Sequence, residues 1–142
     1  MSKFFHVLIM LVIFISPAFA EDGKLVVNVT DLDGSGGFVE MGLYNNPSVW
    51  PERGKSFLKS KIEVKGKSLS YIFENVPVPG EYALAIFHDA NSNGKIDKNF
   101  LGIPKEGYAF SNDARGVFGP PDFEDASFKM EGDKEITIKM GY

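Results

Sequence analysis

The chain has 142 residues, with 19 acidic and 15 basic side chains and a formal net charge of −4. This mild acidity argues against nucleic acid or an anionic membrane as a partner, and the length fits one ordinary domain. There is no cysteine, which excludes disulfides, thiolate metal sites, a cysteine nucleophile and a lipid-modified cysteine.

The first twenty residues have the layout of a secretory signal peptide. Lys3 supplies a positive charge, an apolar stretch covers residues 7–15, and Ala18-Phe19-Ala20 ends the segment with a small-x-small cleavage pattern. The apolar stretch is shorter than the roughly 20 residues that a transmembrane helix needs. We predict a signal peptide at residues 1–20, a single domain at 21–142 without a transmembrane segment, and export to the periplasm or the medium.

Apolar and polar residues alternate through most of the remaining chain, as they do in half-buried strands. The alternating segments are residues 25–29, 39–43, 62–64, 69–73 and 136–140. Residues 82–87 read Tyr-Ala-Leu-Ala-Ile-Phe without a polar break, which predicts a central strand covered on both faces. Glycine and proline separate the segments, and none has a sustained helical stripe. The pattern predicts an all-β fold, an antiparallel β-sandwich.

Pro79-Gly80, followed by Tyr82, resembles the strand entry of transthyretin-like and carboxypeptidase-regulatory-like sandwiches. This resemblance implies a transthyretin-like or immunoglobulin-like arrangement of the two sheets.

The segment Asp89 to Asp97, named here the 89–97 loop, follows the central strand and reads Asp-Ala-Asn-Ser-Asn-Gly-Lys-Ile-Asp. Its oxygen-bearing side chains stand at positions one, three, five and nine, with glycine at six, which is the spacing of EF-hand-type cation loops. Position twelve is Phe100 instead of a bidentate glutamate, so a cation would need a ligand from elsewhere. Flexible carboxylate and amide ligands favour calcium over magnesium. The alternative is a plain turn, because Asn93-Gly94 is also a strong hairpin signal.

Residues 100–128, named here the excursion, mix glycines, prolines and aromatics without a periodic pattern. Loops of this length in compact domains are usually functional or disordered, and disordered segments are poor in aromatic residues. We predict an ordered excursion held by its aromatic side chains.

The 89–97 loop, residues 102–112 (Gly-Ile-Pro-Lys-Glu-Gly-Tyr-Ala-Phe-Ser-Asn) and Gly119-Pro120-Pro121-Asp122-Phe123 together closely resemble a bacterial exported family, the domain of unknown function DUF2141. The resemblance covers essentially the whole mature chain. This chain has Ala109 where the family typically has glycine. The family implies export but brings no activity with it.

The 89–97 loop is also similar to that of calcium-binding B-type repeats in bacterial surface adhesins. That similarity implies side-chain ligands at Asp89, Asn91, Asn93 and Asp97 and a backbone ligand at the Lys95 carbonyl. A further ligand would come from the excursion, where Glu106 is the nearest candidate.

Three functions are consistent with the sequence. The favoured one is a non-catalytic, calcium-stabilised, envelope-associated or secreted monomer that binds a protein or carbohydrate at the excursion. The second is an enzyme that uses His88, Asp89 and Glu106, although adjacent strand residues such as His88 and Asp89 point to opposite faces. The usual hydrolytic motifs are missing from the sequence. The third is a structural domain without a metal.

We expect the exported protein to begin at Glu21, because the leader ends in a cleavage pattern before that residue. N-terminal sequencing of protein recovered from the cell envelope or the medium checks this directly. Recovery of the exported form with Met1 still attached would contradict the signal-peptide prediction.

Overall fold

The computed structural model describes residues 21–142, so the predicted signal peptide lies outside the described residues. These residues form eight strands: β1 Glu21–Thr30, β2 Phe38–Tyr44, β3 Leu58–Glu63, β4 Leu69–Val78, β5 Gly80–Asp89, β6 Tyr108–Phe110, β7 Phe128–Met130 and β8 Lys134–Lys139. One short helix, α1 Phe123–Ala126, and two 3₁₀ turns, Pro47–Val49 and Ser111–Asp113, complete the described secondary structure. Each alternating segment of the sequence coincides with a strand, as its period of two predicts, although Val64 and Met140 lie one residue past the ends of β3 and β8.

The strands form two sheets, which confirms the predicted β-sandwich-like fold. One sheet has the order β4-β1-β8, and the other has the order β3-β2-β5-β6, with β7 also pairing with β5. The described pairs are antiparallel except for β1 and β8, which run parallel from Leu25 opposite Lys134 to Thr30 opposite Lys139. The three-stranded sheet is therefore mixed, because the chain crosses from the other sheet before it adds its last strand beside its first.

The main core lies between the two sheets and consists of the inward-facing residues of every long strand. Leu25, Val27 and Val29 of β1 face Leu84 and other apolar residues of the second sheet, and these side chains are completely buried. Burying one such side chain contributes roughly 1.5–3 kcal/mol. The alternation read from the sequence is thus the alternation of core and surface.

A second, smaller cluster covers the outer face of the five-stranded sheet. It joins Ala83 of β5 to Phe110 and Phe123 of the excursion, with Trp50 packed against them. The Trp50 ring meets the Phe110 ring edge-on at 5.7 Å between centroids, and its Nε1–H donates to the Pro121 carbonyl at 2.8 Å. Strand β5 is therefore buried on both faces, as its unbroken apolar sequence predicts.

The excursion is only partly held by its aromatic residues. Phe110 and Phe123 are buried, whereas Phe118 is fully exposed and Phe100 almost so. The excursion has two exposed stretches, residues 100–103 and 115–120, and the buried residues lie between and after them, in β6, in α1 and at the first residue of β7. Its ordered part thus comes from short strands and side-chain hydrogen bonds as well as from aromatic packing.

Ser111 links the excursion to the central strand. Strand β6 pairs with residues 85–87 of β5 and β7 pairs with residues 80–82, so Leu84 lies between the two paired stretches. The completely buried Ser111 hydroxyl accepts the Leu84 N–H at 2.8 Å and donates to the Ala126 carbonyl at 2.5 Å. One hydroxyl therefore provides a hydrogen-bond partner for two backbone groups, the Leu84 N–H and the Ala126 carbonyl.

We predict that Ser111→Ala destabilises the domain by about 1–3 kcal/mol, because it leaves the buried Leu84 N–H without its acceptor. Urea unfolding followed by circular dichroism measures the change. The exposed Ser68 provides the matched control, since Ser68→Ala should stay within about 0.5 kcal/mol of the wild type. Equal stability of Ser111→Ala and the control would contradict the bridging role.

Candidate functional site

The 89–97 loop folds around the carboxylate of Asp89, the last residue of β5. Asp89 is completely buried; its Oδ1 accepts the Asn93 N–H at 3.0 Å and its Oδ2 accepts the Gly94 N–H at 2.8 Å. Gly94 and Ser92 have positive φ angles of 73° and 59°, which turn the chain back over the carboxylate. The first predicted ligand is thus also the residue that shapes the loop.

The other predicted side-chain ligands lie in the same hydrogen-bond network. Asp97 Oδ2 accepts from the amide groups of Asn91 and Asn93, at 2.6 and 2.8 Å. The Asn91 Oδ1 accepts the Asn93 N–H at 3.1 Å, and the Asn93 Oδ1 accepts the Lys95 N–H at 2.9 Å. The structure therefore brings Asp89 and these three side chains together, and Asn93 contacts both carboxylates.

Glu106 braces the loop through its backbone. Its Oε1 accepts the Ala90 N–H at 3.1 Å, and its Oε2 accepts the Asp97 N–H at 3.2 Å. One carboxylate from the excursion thus holds the second and the ninth residue of the loop. The sequence placed Glu106 beside the loop as a ligand candidate; its observed contacts are with these two amides.

The donor set of the loop is chemically suited to a hard cation. It offers carboxylate oxygens from Asp89 and Asp97, amide oxygens from Asn91 and Asn93 and the Lys95 carbonyl, and these are the ligand types that calcium takes. Within residues 21–142, no group of three or more His, Cys, Asp and Glu side chains is arranged to hold a metal ion. The loop differs from such a group because two of its side-chain donors are amides.

His88 is a structural residue on the opposite face of β5. It is completely buried; its Nε2–H donates to the Gly36 carbonyl at 2.7 Å, and its Nδ1 pairs with the Tyr142 hydroxyl at 2.6 Å. Because a carbonyl only accepts, Nε2 donates in the first of these hydrogen bonds. Burial raises the pKa of Tyr142 above its usual value, which keeps this hydroxyl protonated as a donor. His88 thus joins the β1–β2 turn to the end of the chain.

The turn before β2 also packs against the start of the loop. Gly37 has a φ of 73°, and a Cβ at this position would lie 2.1 Å from the Asp89 carbonyl oxygen and 2.7 Å from the Ala90 Cα. Only glycine permits this approach, since the obstructing atoms belong to the backbone. The turn before β2 therefore packs directly against the backbone at the start of the 89–97 loop.

A cleft of about 1080 Å³, named here the outer cleft, opens on the outer face of the five-stranded sheet beside the loop. Arg53 connects the two features. Its Nη1 donates to the Gly94 carbonyl of the loop at 2.6 Å, and Nη2 pairs with Glu40 on the cleft floor. The guanidinium also lies over the Phe87 ring at 5.2 Å from the centroid. Ile96 of the loop lines the cleft as well.

A comparison with protein families gives a match over residues 27–139 to DUF2141, described as an uncharacterized protein conserved in bacteria. The chain belongs to the DUF2141 family. No curated protein and no solved structure matches it. The matched region of this DUF2141 chain contains most of both sheets, the 89–97 loop and the excursion. In the part of the chain that the structure describes, no helix is long and apolar enough to cross a membrane.

The predicted site of the DUF2141 domain lies within residues 89–106, and sequence analysis missed Arg53. Arg53 lies 41 residues before Gly94, in an irregular segment with no motif. Its contacts depend on the folding of the segment after the first 3₁₀ turn over the sheet. No local sequence signal distinguishes Arg53 from any other exposed basic residue.

We predict that Glu106→Ala loosens the 89–97 loop of this DUF2141 domain even without calcium. Removing the carboxylate leaves the Ala90 and Asp97 amides without their acceptor, which costs about 1–3 kcal/mol where such groups are buried. Amide hydrogen exchange in EDTA should accelerate at Ala90 and Asp97. The exposed Glu131 gives a control with the same charge change, Glu131→Ala. Unchanged exchange at both amides would contradict the bracing role.

Proposed function

We propose that the protein is an exported, non-catalytic binding module whose 89–97 loop is stabilised by calcium. The observation that carries the proposal is the network in which Asn93 contacts the carboxylates of both Asp89 and Asp97. Two carboxylates within reach of one residue repel each other when ionised, and a divalent cation relieves that repulsion. The leader read from the sequence supports export, which would expose the loop to extracellular calcium.

The proposal is supported by the oxygen lone pairs that the existing hydrogen bonds leave unused. A carboxylate has about four lone-pair sites, and the bonds described above use two on Asp89 and two on Asp97. The amide oxygens of Asn91 and Asn93 each accept one backbone N–H and keep a second lone pair. The loop therefore already has the turns that direct its oxygens, and a cation would add to them without replacing them.

The surroundings of His88 support a role without catalysis. Both of its ring nitrogens are engaged in buried hydrogen bonds, so neither is directed at a substrate. Asp89 is occupied with the backbone of its own loop. The outer cleft beside the loop supports ligand binding, because concave sites of this kind are the usual place for ligands.

Calcium should raise the melting temperature of the mature domain. Without a glutamate at position twelve, we expect a dissociation constant on the order of 10⁻⁴ M, typical of extracellular modules. At ten times that concentration, the stabilisation is about 1.4 kcal/mol, or a few degrees in melting temperature. A thermal melt by circular dichroism in EDTA and in millimolar calcium, at equal ionic strength, measures the shift.

Asp97→Asn should abolish most of this shift while leaving the domain folded. The new amide oxygen still accepts the hydrogen bonds of Asn91 and Asn93, but the loop loses one of its two negative charges. Asp125→Asn, at an exposed residue of α1, is the control with the same charge change. Identical wild-type melting temperatures in the two buffers would contradict the calcium site and favour a domain without a metal.

A further inference from the structure

The floor of the outer cleft is a trough created by the register of the five-stranded sheet. Gly42 of β2 pairs with Ala85 of β5, so two very small residues lie side by side at the centre of the outer face. The same row continues to Lys59 of β3 on one side and to Phe110 of β6 on the other. Tyr44 and Ser56 approach Gly42 closely, because a Cβ at this glycine would lie 3.0 Å from Tyr44 Cε2 and 3.1 Å from Ser56 Cβ. The two ends of the row differ in chemistry, since one is a lysine and the other a phenylalanine.

One wall of the cleft is apolar and exposed. It contains Leu101, Ile103, Val117 and Phe118 from the excursion, with Ile96 from the 89–97 loop. These five are among the nine large hydrophobic residues that the described chain exposes, and Val117 and Phe118 are 88% and 102% exposed. Exposed apolar side chains are ordinary when scattered, but a concentration around a concave surface indicates a binding site.

The charged side chains that line the cleft are mostly cationic, although the chain as a whole is acidic. Within the described lining, the charged side chains are four cations and one carboxylate: Arg53, Lys59, Lys61 and Lys98, with Glu40. Glu40 pairs with both Arg53 and Lys61. Lysines on the edge strand β3 also discourage pairing with other chains. Arg53 and Lys98, however, come from other segments, so the excess of positive charge belongs to the cleft.

We propose that the outer cleft binds an anionic amphiphile, namely a free long-chain carboxylic acid in its ionised form. Its carboxylate would lie at Lys59 and Lys61, and its chain would cross Gly42 and Ala85 towards the apolar wall. A volume of about 1080 Å³ is slightly above the usual range of small-molecule sites, roughly 300–1,000 Å³, and is large enough for a long alkyl chain. This proposal rests on the proposed function in that the domain binds without catalysis, and it does not require calcium.

The lining fits an amphiphile better than the carbohydrate expected from the sequence. A carbohydrate needs many hydrogen-bonding partners, whereas the wall of Leu101, Ile103, Val117 and Phe118 offers none from its side chains. Burial of these exposed side chains against an alkyl chain supplies the hydrophobic part of the affinity. The cations supply orientation and discrimination, since Glu40 is the one carboxylate among the described lining residues and an uncharged head would leave the excess of positive charge unpaired.

The test is equilibrium binding of the fluorescent carboxylate cis-parinaric acid to the mature domain, with palmitate and hexadecanol as competitors. We expect palmitate to displace the probe and hexadecanol, which has the same chain length, to be at least about tenfold weaker. The double variant Val117→Ser with Phe118→Ser should weaken probe binding by about tenfold or more. Lys59→Gln with Lys61→Gln should weaken it by roughly threefold to tenfold.

Matched controls separate the cleft from general adsorption. Ile72→Ser replaces an exposed apolar residue of the three-stranded sheet, and Lys139→Gln replaces an exposed lysine of β8; both should bind the probe like the wild type. Failure of the wild type to bind the probe, equal competition by palmitate and hexadecanol, or equal losses in the controls would overturn the proposal. Binding to phosphatidylglycerol vesicles without binding of free palmitate would overturn it in favour of a membrane surface.

Each measurement is made in EDTA and in millimolar calcium, so that the two proposals fail separately. Probe binding in both buffers without a thermal shift by calcium would support the cleft and contradict the calcium site. A thermal shift without probe binding would do the opposite. Because Arg53 contacts both the loop carbonyl of Gly94 and the cleft floor, tighter probe binding in calcium would in addition show that the two sites are coupled.

Discussion

The burial of β5 on both faces is the constraint on which the rest of the structure depends. A strand that carries apolar side chains on both faces needs a partner layer on each side. The three-stranded sheet covers the inner face, and residues of the excursion together with Trp50 cover part of the outer face. Because the excursion covers only the part near Ala83, the remainder of the outer face stays open as the cleft.

Strand β5 also places the adjacent residues His88 and Asp89 on opposite sides of the sheet. Side chains alternate along β5, so His88 enters the interior and Asp89 begins the loop on the other side. His88 uses both ring nitrogens to hold Gly36 and Tyr142. The Asp89 carboxylate instead accepts hydrogen bonds from the backbone N–H groups of Asn93 and Gly94. Two adjacent polar residues that resemble an acid–base pair in sequence therefore work independently, each stabilising a different part of the fold.

The loop and the cleft are adjacent parts of one surface. Arg53 contacts the loop carbonyl of Gly94, pairs with Glu40 and covers Phe87. Movement of the 89–97 loop would therefore displace Arg53, which also contacts the cleft floor. Glu106 reinforces the same surface from the excursion, since it fixes Ala90 and Asp97. If the proposed cation and ligand both bind, this arrangement would connect the two sites through Arg53.

The sequence by itself determined the strands and the local geometry of the loop. Alternation at residues such as Leu25, Val27 and Val29 reports which face is buried, and the loop candidates Asp89 to Asp97 are close in space because they are close along the chain. Asx-type hydrogen bonds and glycine turns are likewise local properties. For these reasons the fold class and the association of the four loop side chains could be predicted from the order of the residues alone.

Only the tertiary structure decided the parallel pairing of β1 with β8, the short strands β6 and β7, and the outer cleft. A three-residue strand such as β6 is too short to show periodicity, and pairing direction depends on the path of the whole chain. The cleft joins Gly42, Ala85 and Phe118, which are small or apolar residues without a motif of their own. Sheet register places Gly42 beside Ala85, and the path of the excursion brings Phe118 to the same cleft. The sequence does not show these proximities, because they join segments that are distant along the chain.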